Sequence, residues 1–356
     1  MANRGNPSDR RVSSPSAKQP ARPGAKPAKS APPAPKTGSA GPAAKNAGRP
    51  GSPAGRPPKA KAIPKATAAD WVGGARLRTL PLAVGPVAIG TGAAYLYDHS
   101  EGWHWVRALL CLAVAVGLQI GVNYANDYSD GIRGTDKFRL GPSRLTGSGA
   151  ARPRSVLTVA LIFFGLAGIA GVTVSVLSGF PWLIAVGALA IVAAYFYTGG
   201  KHPYGYYGLG EVFVFVFFGL VATTGTMFVQ VGAVSFENWV AGIAIGLLAC
   251  AVLMVNNIRD ASQDRLAKKR TLAVLIGDLP SRVVFAGLTL APFVILFFFG
   301  LVFPLANYVF FALLAAIPAV IITLTGKTPP EFILALKLTS LTALVFGLGL
   351  GASFAF

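Results

Sequence analysis

Two groups of acids and amides recur in this chain with a spacing that chemistry could use. Asn123, Asn126, Asp127 and Asp130 form the first, and Asn256, Asn257, Asp260 and Asp264 the second. On a helix, Asn123, Asp127 and Asp130 fall at i, i+4 and i+7, and Asn256, Asp260 and Asp264 at i, i+4 and i+8, so each set is expected on one face. Basic residues lie close by: Arg133, Lys137, Arg139 and Arg144 after the first group, Arg259 and Lys269 in and after the second. A purely anionic ligand is repelled by the carboxylates and a purely cationic one by the bases. A magnesium-bound diphosphate satisfies both, because Mg²⁺ takes one or two carboxylates plus phosphate oxygens while Arg and Lys hold the remaining phosphate oxygens.

The elements that must position these residues are membrane helices. Of 356 residues, 53% are hydrophobic and 13% charged, and the mean hydropathy is +0.57, which excludes a soluble domain and predicts an all-α integral membrane protein. About nine apolar spans are expected, at 80–97, 107–125, 155–178, 181–198, 210–231, 238–256, 282–303, 305–325 and 335–355, in a bundle around a central cavity. Loops alternate between rich and poor in Lys and Arg. The basic ones include 126–154 and 257–281, so the N-terminus and both acidic groups are expected on the cytoplasmic side of the cell membrane, with the C-terminus outside.

Residues 1–70 hold 14 of the 32 Lys and Arg and only Asp9 and Asp70 among the acids. They are rich in Ala, Pro, Lys, Gly and Ser and poor in apolar bulk, so they are expected to form a disordered cytoplasmic tail, with residues 71–356 as the membrane domain. A solvated leader is the reading adopted, with no nucleic-acid partner. Cys111 and Cys250 sit in apolar runs without metal or disulfide spacing and are expected to pack between helices.

The two groups also form an internal repeat. Asn126-Asp127-x-x-Asp130 matches Asn256-Asn257-x-x-Asp260, each at the end of a predicted span and the start of a long basic loop. A pseudo-symmetric bundle would bring both to one cavity. Because Asp127 is matched by Asn257, the first group is expected to carry more of the metal ligation. A diphosphate site walled by lipid-soluble helices favours a long isoprenoid chain, since each buried methylene contributes about 0.8 kcal/mol. Aromatic faces near the expected mouth, among them Tyr124, Tyr128, Tyr195, Tyr197, Tyr204, Tyr206 and Tyr207, are suited to an allylic cation or to an interfacial belt.

At this point the motifs resemble a known family. Asn126-Asp127-Tyr128-Ser129-Asp130 followed by Asp136, and Asn257-Ile258-Arg259-Asp260-x-x-x-Asp264 followed by Lys269-Arg270-Thr271-Leu272, are similar to those of the UbiA superfamily of intramembrane aromatic prenyltransferases over about residues 70–356. Arg78-Thr79-Leu80-Pro81, Gly134-Thr135-Asp136 and the stretch from Tyr197-Thr198-Gly199-Gly200 to Gly208-Leu209-Gly210-Glu211 look like its 1,4-dihydroxy-2-naphthoate branch.

The resemblance implies transfer of a polyprenyl group from polyprenyl diphosphate to 1,4-dihydroxy-2-naphthoate, with loss of CO₂, at a Mg²⁺ site. It implies Asp127, Asp130, Asp260 and Asp264 as catalytic and metal-binding, with Asp136 as a further ligand. Asn123, Asn126, Arg78, Arg144, Tyr197, Asn256, Asn257, Arg259 and Lys269 are the expected substrate contacts, with membrane lipid around them. Two departures stand out. Gly134 occupies the place of the family's third acid, and Lys268 stands where Gly is frequent, leaving Lys268 and Lys269 as alternative phosphate contacts.

Other readings stay open for single residues. Arg78 is either a positive-inside anchor or a contact to the acceptor carboxylate or diphosphate. Glu211 suits a helix N-terminus or a base. Another aromatic acceptor is the alternative within the superfamily, and a secondary transporter or ion pathway the alternative outside it.

Overall fold

The computed structural model describes residues 65–98, 104–135 and 144–356, all within one compact unit, Ala60–Phe356. Residues 1–64 lie outside the described residues, and most of the expected tail with them. So do Asp136, Lys137 and Arg139. The described chain is already helical at Ala68, within the 1–70 range assigned to the tail.

Local chemistry sets the helix limits. Helix α1 (Ala68–Gly74) opens on a capping box in which Thr67 and Asp70 satisfy each other's free backbone N–H groups. A 3-10 turn, Leu77–Thr79, leads to α2 (Pro81–Tyr97), where Pro81 fills a first-turn position that needs no N–H donor. Helix α3 (Trp105–Arg133) stops at Gly134, whose φ of 71° suits a residue without Cβ. Then come α4 (Pro153–Leu177), α5 (Leu183–Phe196) and α6 (Gly210–Val231). Within α6, Phe215–Val221 form a π-helical stretch. Helix α7 (Phe236–Leu266) follows, then α8 (Leu272–Ile276), α9 (Asp278–Val302), α10 (Pro304–Thr325) and α11 (Pro329–Ala355).

Every one of the nine expected spans coincides with a helix. By length and composition, seven described helices suffice to cross a membrane, and eight if the bent pair of α2 and the segment before it is one span. Helix α5, only 14 residues long and with no buried residue, is the ninth apolar helix.

Helix α7 is the most enclosed span. The larger apolar core is shared by α2, α7, α9, α10 and α11 through residues such as Ile89, Ile245, Leu248, Leu296 and Phe346. A smaller cluster joins α3 to α4 through Tyr124, Val156 and Phe164.

Lipid gives helices little hydrophobic reason to associate, so close approach must come from small residues. A Cβ on Gly347 of α11 would collide with the Cα of Gly85 on α2, and one on Gly92 with the carbonyl of Gly351. A Cβ on Gly219 of α6 would come 2.6 Å from the Cα of Gly246 on α7. By contrast, a Cβ on Gly165 in α4 meets nothing within 4 Å. Gly92→Val is therefore expected to cost about 1–3 kcal/mol or more by overpacking. It should lower the thermal midpoint of the purified protein in detergent, whereas Gly165→Ala, which meets no clash and removes about 0.5–1 kcal/mol of helix-interior glycine entropy, should hold or raise it.

Candidate active site

The C-terminal ends of α3 and α7 meet at one end of the bundle and share a cavity of about 460 Å³ bordered by α2 to α7. Along α3 its lining extends from Asp130 to Cys111, a rise of about 28 Å. Its polar end is lined by Asn123, Asn126, Asp130, Asn256, Asn257 and Asp260, with Arg76, Arg78, Arg144, Lys269, Tyr197 and Thr198. The remainder is mainly apolar, with Thr79, Gln119, Ser175, Tyr204 and Thr226 as polar exceptions.

In the first group, Asp130 is buried and accepts two hydrogen bonds of 2.6 Å, from Arg144 Nη1 and from the Tyr206 hydroxyl. Arg144 also donates to the Asn126 carbonyl at 3.0 Å, and the Asn126 side-chain oxygen accepts from the Thr198 hydroxyl at 2.6 Å. Asn123 donates to the Ala75 carbonyl at 2.9 Å, pinning the segment before α2 onto α3.

Asp127, an expected metal ligand by resemblance, holds the loop after Arg144 in this structure. Its two oxygens accept from the backbone N–H groups of Leu145 (2.9 Å) and Thr146 (2.8 Å), and it is not among the cavity-lining residues. The cavity face of α3 runs Asn123, Asn126, Asp130, at i, i+3 and i+7, which leaves Asp127 beside it holding the loop after Arg144.

In the second group, Asp260 receives Arg259 on both oxygens, at 2.7 Å each, and Arg259 also donates to the Asn256 side chain at 2.8 Å. Arg259 does not line the cavity. Asn257 donates to Glu211 at 3.0 Å, tying α7 to the first turn of α6. Asp264 sits a turn beyond Asp260 and, like Asp127, outside the cavity lining, 3.7 Å from Lys269 Nζ, while its backbone carbonyl accepts from Lys269 N–H at 2.8 Å.

Tyr206 joins the two groups. Its hydroxyl is on Asp130, Lys269 Nζ lies 5.2 Å from its ring centre and Arg133 5.4 Å, and its carbonyl accepts from the Arg270 N–H. Burial first, and the Asp130 charge second, raise the phenol above its ordinary pKa, so it remains a donor. Arg133 also donates to the carbonyls of Thr198 and Gly200, fixing the loop that carries Tyr206.

An aromatic ladder borders the polar end: Tyr197 edge-on to Tyr204 (5.5 Å between centres), Tyr204 stacked on Phe213 (3.9 Å), and Phe213 on Phe217 (6.1 Å). Tyr124 instead packs beneath α1, against Trp71.

Among the described residues, no three His, Cys, Asp or Glu side chains form a ready metal cage. The donor set is hard oxygen: carboxylates from two helices and amide oxygens beside them. That chemistry fits Mg²⁺, which takes few protein ligands and relies on phosphate oxygens for the rest.

Two residues gain meaning only from the backbone. Arg76, passed over in the sequence although it precedes Arg78 by two, has φ of 54° and lines the cavity. Its position in Arg76-Leu77-Arg78 was the available signal. Lys268, where Gly was expected, has φ of 58°, the left-handed conformation in which Gly is unstrained. Lys268 is exposed and Lys269 lines the cavity, so the geometry favours Lys269 as the phosphate contact.

Asp127→Ala should lower the thermal midpoint, since two backbone N–H groups lose their acceptor at about 1–3 kcal/mol for each one left buried. Lys268→Gly relieves about 1–2 kcal/mol of left-handed strain against about 0.5–1 kcal/mol of added chain entropy. Its midpoint should hold or rise.

Comparison with known proteins agrees with this geometry. The chain is 48% identical over 291 residues, 82% of its length and 98% of the relative's, to the 1,4-dihydroxy-2-naphthoate octaprenyltransferase of Mycobacterium tuberculosis. It is 38% identical to the Escherichia coli protein of that name over 237 residues, 65% of this chain and 76% of the relative. In fold it resembles a UbiA homolog from Aeropyrum pernix K1, with a TM-score of 0.59 at 16% identity over 76% of this chain and 96% of that one. It also resembles a UbiA homolog from Archaeoglobus fulgidus bound to GPP and Mg²⁺, with a TM-score of 0.53 at 13% identity over 78% and 99%. The UbiA prenyltransferase family pattern matches residues 83–331, and the chain is a multi-pass membrane protein belonging to that family.

Proposed function

We propose that the chain transfers a polyprenyl group from polyprenyl diphosphate to 1,4-dihydroxy-2-naphthoate, releasing diphosphate and CO₂ and giving demethylmenaquinone. The observation that carries this reading is the union of two environments in one cavity. Oxygen donors and cations from α3, α7 and their loops occupy one end, and a largely apolar channel continues from it, about 18 Å along α3 from Asn123 to Cys111. The naphthoate acceptor is supported by the Mycobacterium tuberculosis and Escherichia coli relatives, whose names specify it.

In this reading Asp130, Asp260 and Asp264, with the side-chain oxygens of Asn126 and Asn256, hold Mg²⁺. When bound, the ion neutralises charge developing on the departing diphosphate. Arg144 and Lys269 hold the other diphosphate oxygens, and Tyr206 keeps Asp130 oriented. Arg78 and Arg76 face the same end and suit the acceptor carboxylate. The faces of Tyr197, Tyr204 and Phe213 suit the electron-poor allylic carbon. The acids lie in the last turns of α3 and α7, which favours an enzyme over an ion pathway with acids at the midplane.

The alternation of basic loops supports a cytoplasmic site in the cell membrane and an external C-terminus. Residues up to about 66 are assigned as a solvated leader, and the catalytic domain opens with the Thr67 cap of α1.

Membranes containing the protein, supplied with Mg²⁺, dihydroxynaphthoate and a polyprenyl diphosphate, should yield demethylmenaquinone by mass spectrometry. Prenylation of a different aromatic acid instead would overturn the acceptor. Asp130→Asn and Asp260→Asn should each lower turnover by about 100-fold or more per folded molecule, beyond any fall in thermal midpoint from the buried Arg144 and Arg259 losing their counter-charge. Near-wild-type rates in both would overturn the metal site. Deleting residues 1–64 should leave turnover largely unchanged, and a large loss would show that the leader takes part.

A further inference from the structure

One buried acid beside the cavity has no part in the proposed metal site. Glu211, in the first turn of α6, is 8% exposed, and helix α7 holds it at two points. The Cys250 thiol donates to its backbone carbonyl at 3.1 Å, and Asn257 Nδ2 donates to its Oε1 at 3.0 Å. Cys250 and Asn257 are seven apart and so share one face of α7. Gly210 permits the close approach: a Cβ there would lie 3.1 Å from the Tyr197 hydroxyl and 3.3 Å from Leu253. Glu211 itself does not line the cavity, whereas Asn257, Tyr197 and Leu253 do.

A carboxylate in the first turn suits the dipole of its helix, but that does not account for its pairing with an amide on the cavity wall. A carboxylate offers acceptors only, and a primary amide has one donor end and one acceptor end. Meeting Glu211 with its NH₂ obliges Asn257 to turn its oxygen away from the acid. The side-chain oxygens of Asn126 and Asn256 already take the Thr198 hydroxyl and Arg259. That of Asn257 has no donor among the described residues, and the residue borders the cavity.

We propose that Asn257 Oδ1 accepts the 4-hydroxyl of the naphthoate acceptor, and that Glu211 is the positioning residue that holds the amide this way round. The inference rests on the reading of the cavity as the site of naphthoate prenylation. In that acceptor the 1-hydroxyl lies next to the carboxylate and bonds to it internally. The 4-hydroxyl, across the ring, needs an acceptor from the protein. A buried oxygen set to receive a hydroxyl rejects an analogue that lacks it, because the oxygen then stays unpaired.

The test compares 1,4-dihydroxy-2-naphthoate with 1-hydroxy-2-naphthoate, which lacks only the 4-hydroxyl. Each is titrated by calorimetry into the purified full-length protein holding Mg²⁺ and the non-reacting farnesyl thiolodiphosphate. The wild type should bind the dihydroxy compound about tenfold more tightly. In Asn257→Leu, and in Glu211→Gln, where either end of the new amide can meet Asn257, that ratio should fall close to one while affinity for the thiolodiphosphate is unchanged. Both acceptors are measured on one preparation, so partial unfolding leaves the ratio unmoved. A wild type that binds the two acceptors equally, or either variant keeping the wild-type ratio, overturns this inference alone. A wild type that holds the thiolodiphosphate and binds neither naphthoate overturns the acceptor reading and this inference together.

Discussion

A carboxylate buried among helices costs several kcal/mol unless its charge is met, and the polar end of this bundle is arranged around meeting three of them. Asp130 is held by Arg144 and Tyr206, Asp260 by Arg259, and Asp264 by Lys269. Arg144 and Lys269 come from loops, and each partner also fixes backbone: Arg144 reaches the end of α3, and the N–H of Lys269 bonds the end of α7. Neutralising the acids and shaping the mouth are therefore one task. On the proposed reading, the substrate enters a site already balanced in charge, and its phosphates and cation exchange with partners of the same sign.

The helical architecture was legible because membrane spans announce themselves by length, and the loops between them by charge. All nine placements fall on helices, and the repeat at Asn126 and Asn256 located the cavity end. Resolving which side chains face inward required more than spacing. Positions i, i+3 and i+7 and positions i, i+4 and i+7 both describe a helical face, and only the packing of α3 selects the set with Asn126 over the set with Asp127. Arg259 was similarly ambiguous, since a base beside an acid in sequence suits either a ligand or the acid itself. Backbone strain at Arg76 and Lys268 has no signature in residue type at all.

The mismatched pair in the repeat has a structural explanation. Asn126 and Asn256 line the cavity, as do Asp130 and Asp260. Asp127 and Asn257, the pair that differs, each tie their helix end to a neighbour, Asp127 from outside the cavity lining to the backbone of Leu145 and Thr146, Asn257 from within the lining to Glu211. An acceptor is needed for backbone N–H groups and a donor for a carboxylate. The asymmetry thus reflects what lies beside each helix, while the pairs Asn126 with Asn256 and Asp130 with Asp260 keep the repeat.

The π-helical stretch in α6 shapes the channel wall in a similar way. Residues four apart in an α-helix advance by more than a full turn, drifting about 40° per step, so a row such as Phe213, Phe217, Val221, Gly225 and Val229 should wind away from any one side. The wider turn across Phe215–Val221 reverses part of that drift, and all five of these residues border the same cavity. A single helix thereby presents a nearly straight track from the acids to the far end, aromatic at the top and smooth below, along which a flexible hydrocarbon can lie without following a spiral.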